Sequence, residues 1–214
     1  MKREWLLVAL AIGAAAPASA QLIGMPVWNS PSGGTGLTIS GDYGKPDNNG
    51  GSGSAFGGRA TLGLGTLSVT AGLASDKPSG GSSVTSYGGD LAFRVIGGPL
   101  VPVKINIQGG AAHASVSGVG YTNVTGAVGI GVTLPMPGIS IEPYVSPGIR
   151  YQKVGSIGPI AGASSTNFGF AVGANVGFGM LGVHLAYDLT KVSGGNVGIF
   201  GIGVHLALKV PLGM

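Results

Sequence analysis

Two histidines occupy copies of one pentapeptide, Gly182-Val183-His184-Leu185-Ala186 and Gly203-Val204-His205-Leu206-Ala207. Paired imidazoles can hold a metal or titrate together near about pH 6.5. No third ligand follows at ligand spacing, so neither a metal centre nor a cofactor is expected. The remaining histidine lies in His113-Ala114-Ser115, a base beside a hydroxyl. Nucleophilic catalysis also needs an acid to orient the base, and the first carboxylate after Ser115 is Glu142. Gly129-Ile130-Gly131 has the look of a phosphate loop but lacks the following helix that such a loop requires. What these residues, and the scattered charges, can do depends on the elements that carry them.

Composition narrows those elements. The 214 residues include 44 Gly and 13 Pro but no Cys, which excludes a disulfide scaffold, a thiolate metal site and a cysteine nucleophile. Only 8% are charged, and the formal +4 is spread over 11 basic and 7 acidic residues, so the clustered cations of a nucleic-acid binder are missing. The mean hydropathy of +0.45 opposes disorder despite the glycine content. Lys2 and Arg3 precede an apolar run from Trp5 to Ala16, and Ala18-Ser19-Ala20 supplies small residues for a peptidase. Residues 1–20 are therefore expected to be a secretory signal peptide, cleaved before Gln21.

Beyond it, period two dominates. Apolar side chains alternate with polar or small ones over ten segments: Leu37–Tyr43, Phe56–Leu64, Leu67–Leu73, Tyr87–Val95, Val101–Ile107, Val124–Leu134, Ile139–Tyr151, Phe168–Phe178, Leu181–Leu189 and Phe200–Val210. Each reads as a strand with two unlike faces. A transmembrane helix over the uncharged stretch from Val154 to Tyr187 is excluded by its many glycines and the lack of a 3.6 period. Asp42, Arg59, Asp90, Arg94, Lys104, Glu142, Arg150, Asp188 and Lys209 fall on the polar face of their strands. Lys45, Asp47, Asp76, Lys77, Lys153 and Lys191 are expected in loops around 44–53, 75–83, 113–122, 152–164 and 191–196. Short turns are expected near Gly65, Gly97-Gly98-Pro99, Pro135-Met136-Pro137-Gly138 and Gly179.

In this pattern the chain resembles the bacterial outer-membrane β-barrel superfamily, over residues 34–214 and the signal peptide. The resemblance implies an all-β fold: a closed antiparallel up-and-down transmembrane barrel of ten strands, with eight as the alternative count. It also implies a place in the cell outer membrane, contact with lipid and lipopolysaccharide, and insertion by the outer-membrane assembly machinery. Barrels of this kind commonly end on an aromatic residue, whereas this chain ends on Met214. Residues 21–33, without alternation, are assigned to a periplasmic segment, although a place inside the barrel fits them equally.

The barrel then sorts the chemistry. Tyr43, Phe56, Tyr87, Tyr151, Phe168, Tyr187 and Phe200 fall on the apolar face near the long-loop ends, as an interfacial girdle. The small lining residues suggest a narrow water-filled path or a cavity, or else serve the curvature of a small barrel. Arg94, Lys104 and Glu142 are expected at similar height, with Lys209 near the same end, as a charge ring or an ion-pair network. A last loop centred between Gly194 and Gly195 would place His184 and His205 opposite each other, both inward. Lys45, Lys77, Lys153 and Lys191 are candidates for lipopolysaccharide phosphates. His113-Ala114-Ser115 resembles part of the His/Ser/acid arrangement of outer-membrane lipid A deacylases, with the acid missing. The expected function is a non-enzymatic narrow passage or structural wall protein. A soluble secreted β-protein and a lipid A-modifying enzyme are the alternatives.

Overall fold

The structure, a computed structural model, describes residues 22–98, 101–156 and 158–208. The signal peptide, Lys209 and Met214 lie outside them. Strands β1 (Gly34–Pro46), β2 (Ser54–Gly65), β3 (Leu67–Lys77), β4 (Val84–Gly98), β5 (Val101–Val116), β6 (Val119–Val132), β7 (Leu134–Met136), β8 (Ile139–Val154), β9 (Ala163–Phe178), β10 (Leu181–Val192) and β11 (Gly195–Leu208) follow in order. Every pairing is antiparallel, and β1 pairs with both β2 and β11, so the sheet closes on itself. The short β7 continues β6 past Thr133 and pairs with β8, which also pairs with β6. The wall is thus a closed up-and-down barrel of ten strands. Closure leaves no edge whose N–H and C=O groups lack partners, a necessity where one face meets no water.

Alternation predicts the facing. Phe56, Tyr87, Phe93, Ile107 and Phe168 stand out from the wall, more than half exposed. Asp42, Asp90, Asn106, Gln108, Glu142, Ser146, Arg150, His184 and Asp188 are buried on the inner face. In β4 the pairing shifts register around Ile96, and Val95 and Ile96 both lie on the outer face, as a bulge produces.

The loops are shorter than expected at two places. The loops expected at 113–122 and 191–196 are the tight turns Ser117-Gly118 and Ser193-Gly194, joining strands whose last pairs are Val116 with Val119 and Val192 with Gly195. Lys45, Asp76, Lys77, Lys153 and Lys191 accordingly end strands rather than sit in loops. Asp76 is moreover buried, facing inward beside Gly24 and Ala55. Polar composition suggested loops here, but ladder pairing tolerates polar residues at a barrel rim. Ser117 and Gly118 have φ of 50° and 82°, the left-handed pair that a two-residue hairpin turn needs. Gly118→Ala is expected to cost about 1–2 kcal/mol, read as a lower urea midpoint in detergent micelles.

Candidate functional site: the filled lumen

The inner face does not enclose an empty path. Residues 22–33 run through the barrel as an irregular segment that forms no strand. Their periplasmic assignment is therefore corrected. From Gly34, at the short-turn end of β1, the chain rises inside the lumen to a turn closed by Met25 N–H donating to Leu22 O, 3.2 Å. At that tip Leu22 and Met25 pack on Ala55 and Ala74, while Ile23 packs on Ala114, Val119 and Tyr121 near the long-loop end. Met25, Val27 and Asn29 are almost wholly buried. The physical reason is composition: an uncharged segment with Leu, Ile, Met, Val and Trp leaves water when an interior is at hand.

The lining glycines make room for it. A side chain at Gly201 would meet Pro26 and Trp28, one at Gly129 would meet Asn29 and Asn106, and one at Gly57 would meet Met25. The small lining thus accommodates peptide rather than a continuous water path. A cavity of about 470 Å³ remains on the short-turn side, bounded by Trp28, Arg59, Lys104, Glu142, His205 and hydroxyl-bearing residues of β1–β3.

Most of the expected lumen charges hold the segment. Arg94 Nη1 donates to Ser32 O, and Lys104 Nζ donates to Ser32 Oγ at 2.7 Å. Glu142 accepts from Ser30 Oγ (2.9 Å), Thr133 Oγ1 (3.2 Å) and Asn175 Nδ2 (3.3 Å), and it forms no ion pair among the described residues. Arg94, Lys104 and Glu142 thus form neither a charge ring nor an ion-pair network among the described residues; they clamp the segment. Asp188 accepts from Val27 N–H at 3.1 Å and from Arg150 Nη2 at 3.3 Å. Gln108 Nε2 donates both to Trp28 O (3.1 Å) and to Asp90 Oδ1 (2.9 Å), and Asn106 Nδ2 donates to Asn29 Oδ1 (2.7 Å).

A second cluster lies beside Trp28. Arg59 grips Asp42 with Nε at 2.6 Å and Nη2 at 3.1 Å, and its guanidinium lies 5.2 Å from the Trp28 ring centre. His184 Nε2 lies 2.6 Å from Asp42 Oδ1. A carboxylate only accepts, so this nitrogen carries the proton. His184 Nδ1 faces His205 Nδ1 at 3.1 Å, and with both rings neutral His205 is the donor. The histidines do meet inside, but diagonally: His184 pairs with Gly203 and His205 with Gly182. The turn centres between Ser193 and Gly194, one residue earlier than expected, and each residue of β10 therefore faces a partner two places away from the one inferred. No group of three metal-ligating side chains forms among the described residues. The sequence reading gave no role to Trp28, Asn29, Asn106 or Gln108, or to Tyr144, which is buried at the inner wall; only the inward parity of the last three signalled them.

On the outside, Tyr43, Phe56, Tyr87, Tyr151, Phe168, Tyr187 and Phe200 all stand on the outer face towards the long-loop end, with Tyr43 paired to Phe56 and Tyr187 to Phe200. Lys45, Lys77, Lys153 and Lys191 are exposed on the same outward parity and end β1, β3, β8 and β10. Along the closed wall these are alternate strands of one continuous arc. His113 also faces outward, against Tyr87, with its Nδ1 at 3.0 Å from Thr122 Oγ1 and no carboxylate partner among the described residues.

Among solved structures the chain is similar to the β domain of the Bordetella autotransporter BrkA, with TM-score 0.53 and 11% identity over 83% of this chain and 100% of that one. It also aligns with the outer membrane enzyme PagL (TM-score 0.43, 12% identity, 80% of this chain and 99% of that one). A third match is Neisserial surface protein A (TM-score 0.41, 10% identity, 81% and 98%). At such identities the likeness concerns the fold alone, and only the first is near enough to carry it. No protein-family model and no curated protein sequence matches the chain. The fold is that of the bacterial outer-membrane β-barrel proteins.

Proposed function

We propose that the protein is an integral outer-membrane barrel without catalysis, a wall protein whose lumen is shut by its own N-terminal segment. Small solutes pass only when that segment withdraws. The observation that carries this reading is the burial of residues 22–29 among inward side chains of β2, β4, β5, β8 and β10. Membrane residence is supported by the outer face, where Leu91, Phe93, Ile107, Val128, Ile130, Ile149 and Val172 are exposed together. A soluble protein rarely shows so wide an apolar surface. Refolded residues 21–214 in a planar bilayer are expected to give no stepwise conductance at rest. Frequent full-length openings would overturn the closed reading. The enzyme alternative lacks an acid at His113, whose ring is held by a hydroxyl, and His113→Ala is expected to leave lipid A unmodified to the same extent as the parent chain.

The arc of lysines supports contact with lipopolysaccharide. Charge-assisted hydrogen bonds to phosphate are among the stronger polar contacts, and Lys45, Lys153 and Lys191 follow the girdle residues Tyr43, Tyr151 and Tyr187 on the outer face of their strands. Replacing Lys45, Lys77, Lys153 and Lys191 together by Gln is expected to reduce co-purifying lipopolysaccharide several-fold while leaving the folded gel mobility unchanged. Equal lipopolysaccharide in both preparations would remove the lysines from that role. Insertion by the outer-membrane assembly machinery belongs to the same proposal.

A further inference from the structure

Every strand of the wall spends its main-chain groups on its neighbours. A peptide inside therefore finds no ladder to join, and its own N–H and C=O groups must be met by side chains. The lumen supplies them. Ile23 N–H donates to Ser86 Oγ at 3.1 Å, and Val27 N–H donates to Asp188 Oδ2 at 3.1 Å. Gln108 Nε2 donates to Trp28 O at 3.1 Å, Asn106 Nδ2 to Ser30 O at 3.4 Å, and Arg94 to Ser32 O. These donors and acceptors come from β4, β5 and β10 and follow the segment from tip to base. Pro26 and Pro31 remove two N–H groups that would otherwise need partners. Residues 22–33 carry no charged side chain, so they add none to an interior that already holds buried ions.

We infer that the lumen is a peptide-binding tunnel that recognises an uncharged segment through its main chain and its small polar side chains, with residues 22–33 as its tethered and exchangeable occupant. This rests on the filled-lumen geometry rather than on the silent conductance. Its ligand class is a second uncharged peptide of similar length presented at the short-turn mouth, where Gly33 and Gly34 are exposed. Side-chain selectivity lies at the apolar tip, at Trp28, and at Asn29, Ser30 and Ser32, whose polar groups meet Ser146 and Asn106, Glu142, and Lys104.

The test keeps the whole chain. A protease site is inserted between Gly33 and Gly34, the protein is folded in detergent, and the tether is then cut. The expected result is that the cut segment stays bound and exchanges with a synthetic peptide of residues 22–33 bearing a fluorophore at its Gly33 end, followed by anisotropy. A peptide N-methylated at Val27 cannot donate to Asp188 and is expected to bind at least about tenfold more weakly, as a lost hydrogen bond to a charged group implies. Ser86→Ala in the barrel should speed exchange without altering folded gel mobility. Three results would overturn the inference: loss of the folded mobility on cutting, departure of the segment without binding of the labelled peptide, or equal binding of the N-methylated and parent peptides. Conductance of the uncut protein bears on the closed-wall reading separately, because a leaky barrel could still bind peptide.

Discussion

Arg150→Met is expected to destabilise the barrel by about 3–5 kcal/mol, because it strands a buried carboxylate. Arg150 and Asp188 are 0% and 2% exposed at their side chains and lie 3.3 Å apart. Once the guanidinium is gone, the Val27 N–H is the donor left to Asp188 among the described residues. Methionine fills much of the volume and replaces none of the charge. The double variant Arg150→Met with Asp188→Leu should recover a large share of the loss, since an apolar pair of similar size often matches a buried ion pair. Trp28 is the only tryptophan outside residues 1–20, so urea titration in lipid vesicles can follow unfolding by its fluorescence. A single variant within about 1 kcal/mol of the parent would mean that water reaches this pair and that the lumen is wetter than described, since an exposed pair is worth no more than that.

Ile107→Arg tests the other face. Ile107 stands near the middle of β5, 57% exposed, with Phe93 and Val128 as its register partners. In hydrocarbon, an arginine at mid-depth costs about 2–4 kcal/mol in a membrane barrel. On a soluble protein the same exchange would be close to neutral, because exposed substitutions usually fall within about 0.5 kcal/mol. The prediction is a destabilisation in the upper range in vesicles, by the same titration. The companion variant Lys153→Arg, at the exposed rim, should leave the midpoint unchanged. A neutral Ile107→Arg would remove hydrocarbon from the outer face and with it the membrane reading. The two variants separate the interior from the exterior, because each alters only one of the two environments that the wall divides.

How much of this was legible beforehand follows from how local each feature is. Parity was legible: Phe56 against Arg59, or Tyr187 against Asp188, needs only that consecutive side chains point to opposite faces. The aromatic end of the barrel was legible for the same reason, since Tyr43 and Phe200 mark where their strands leave the apolar band. Turn lengths were less so. Ser117-Gly118 and Ser193-Gly194 sit in polar, glycine-rich stretches that read as loops, yet the ladder continues through most of each stretch because polar residues at the rim still pair their backbones.

The order of apolar and polar residues along the chain thus determined the strands, their two faces and the end that carries the girdle, all properties of neighbouring residues. The tertiary structure decided the rest. It brought residues 22–33 inside, made a clamp of Arg94, Lys104 and Glu142 where a ring or an ion-pair network was expected, and paired His184 with Gly203, two residues from His205. Those outcomes depend on closure, which fixes register around the whole circle and encloses an interior whose unpaired main-chain groups must find partners far away in sequence.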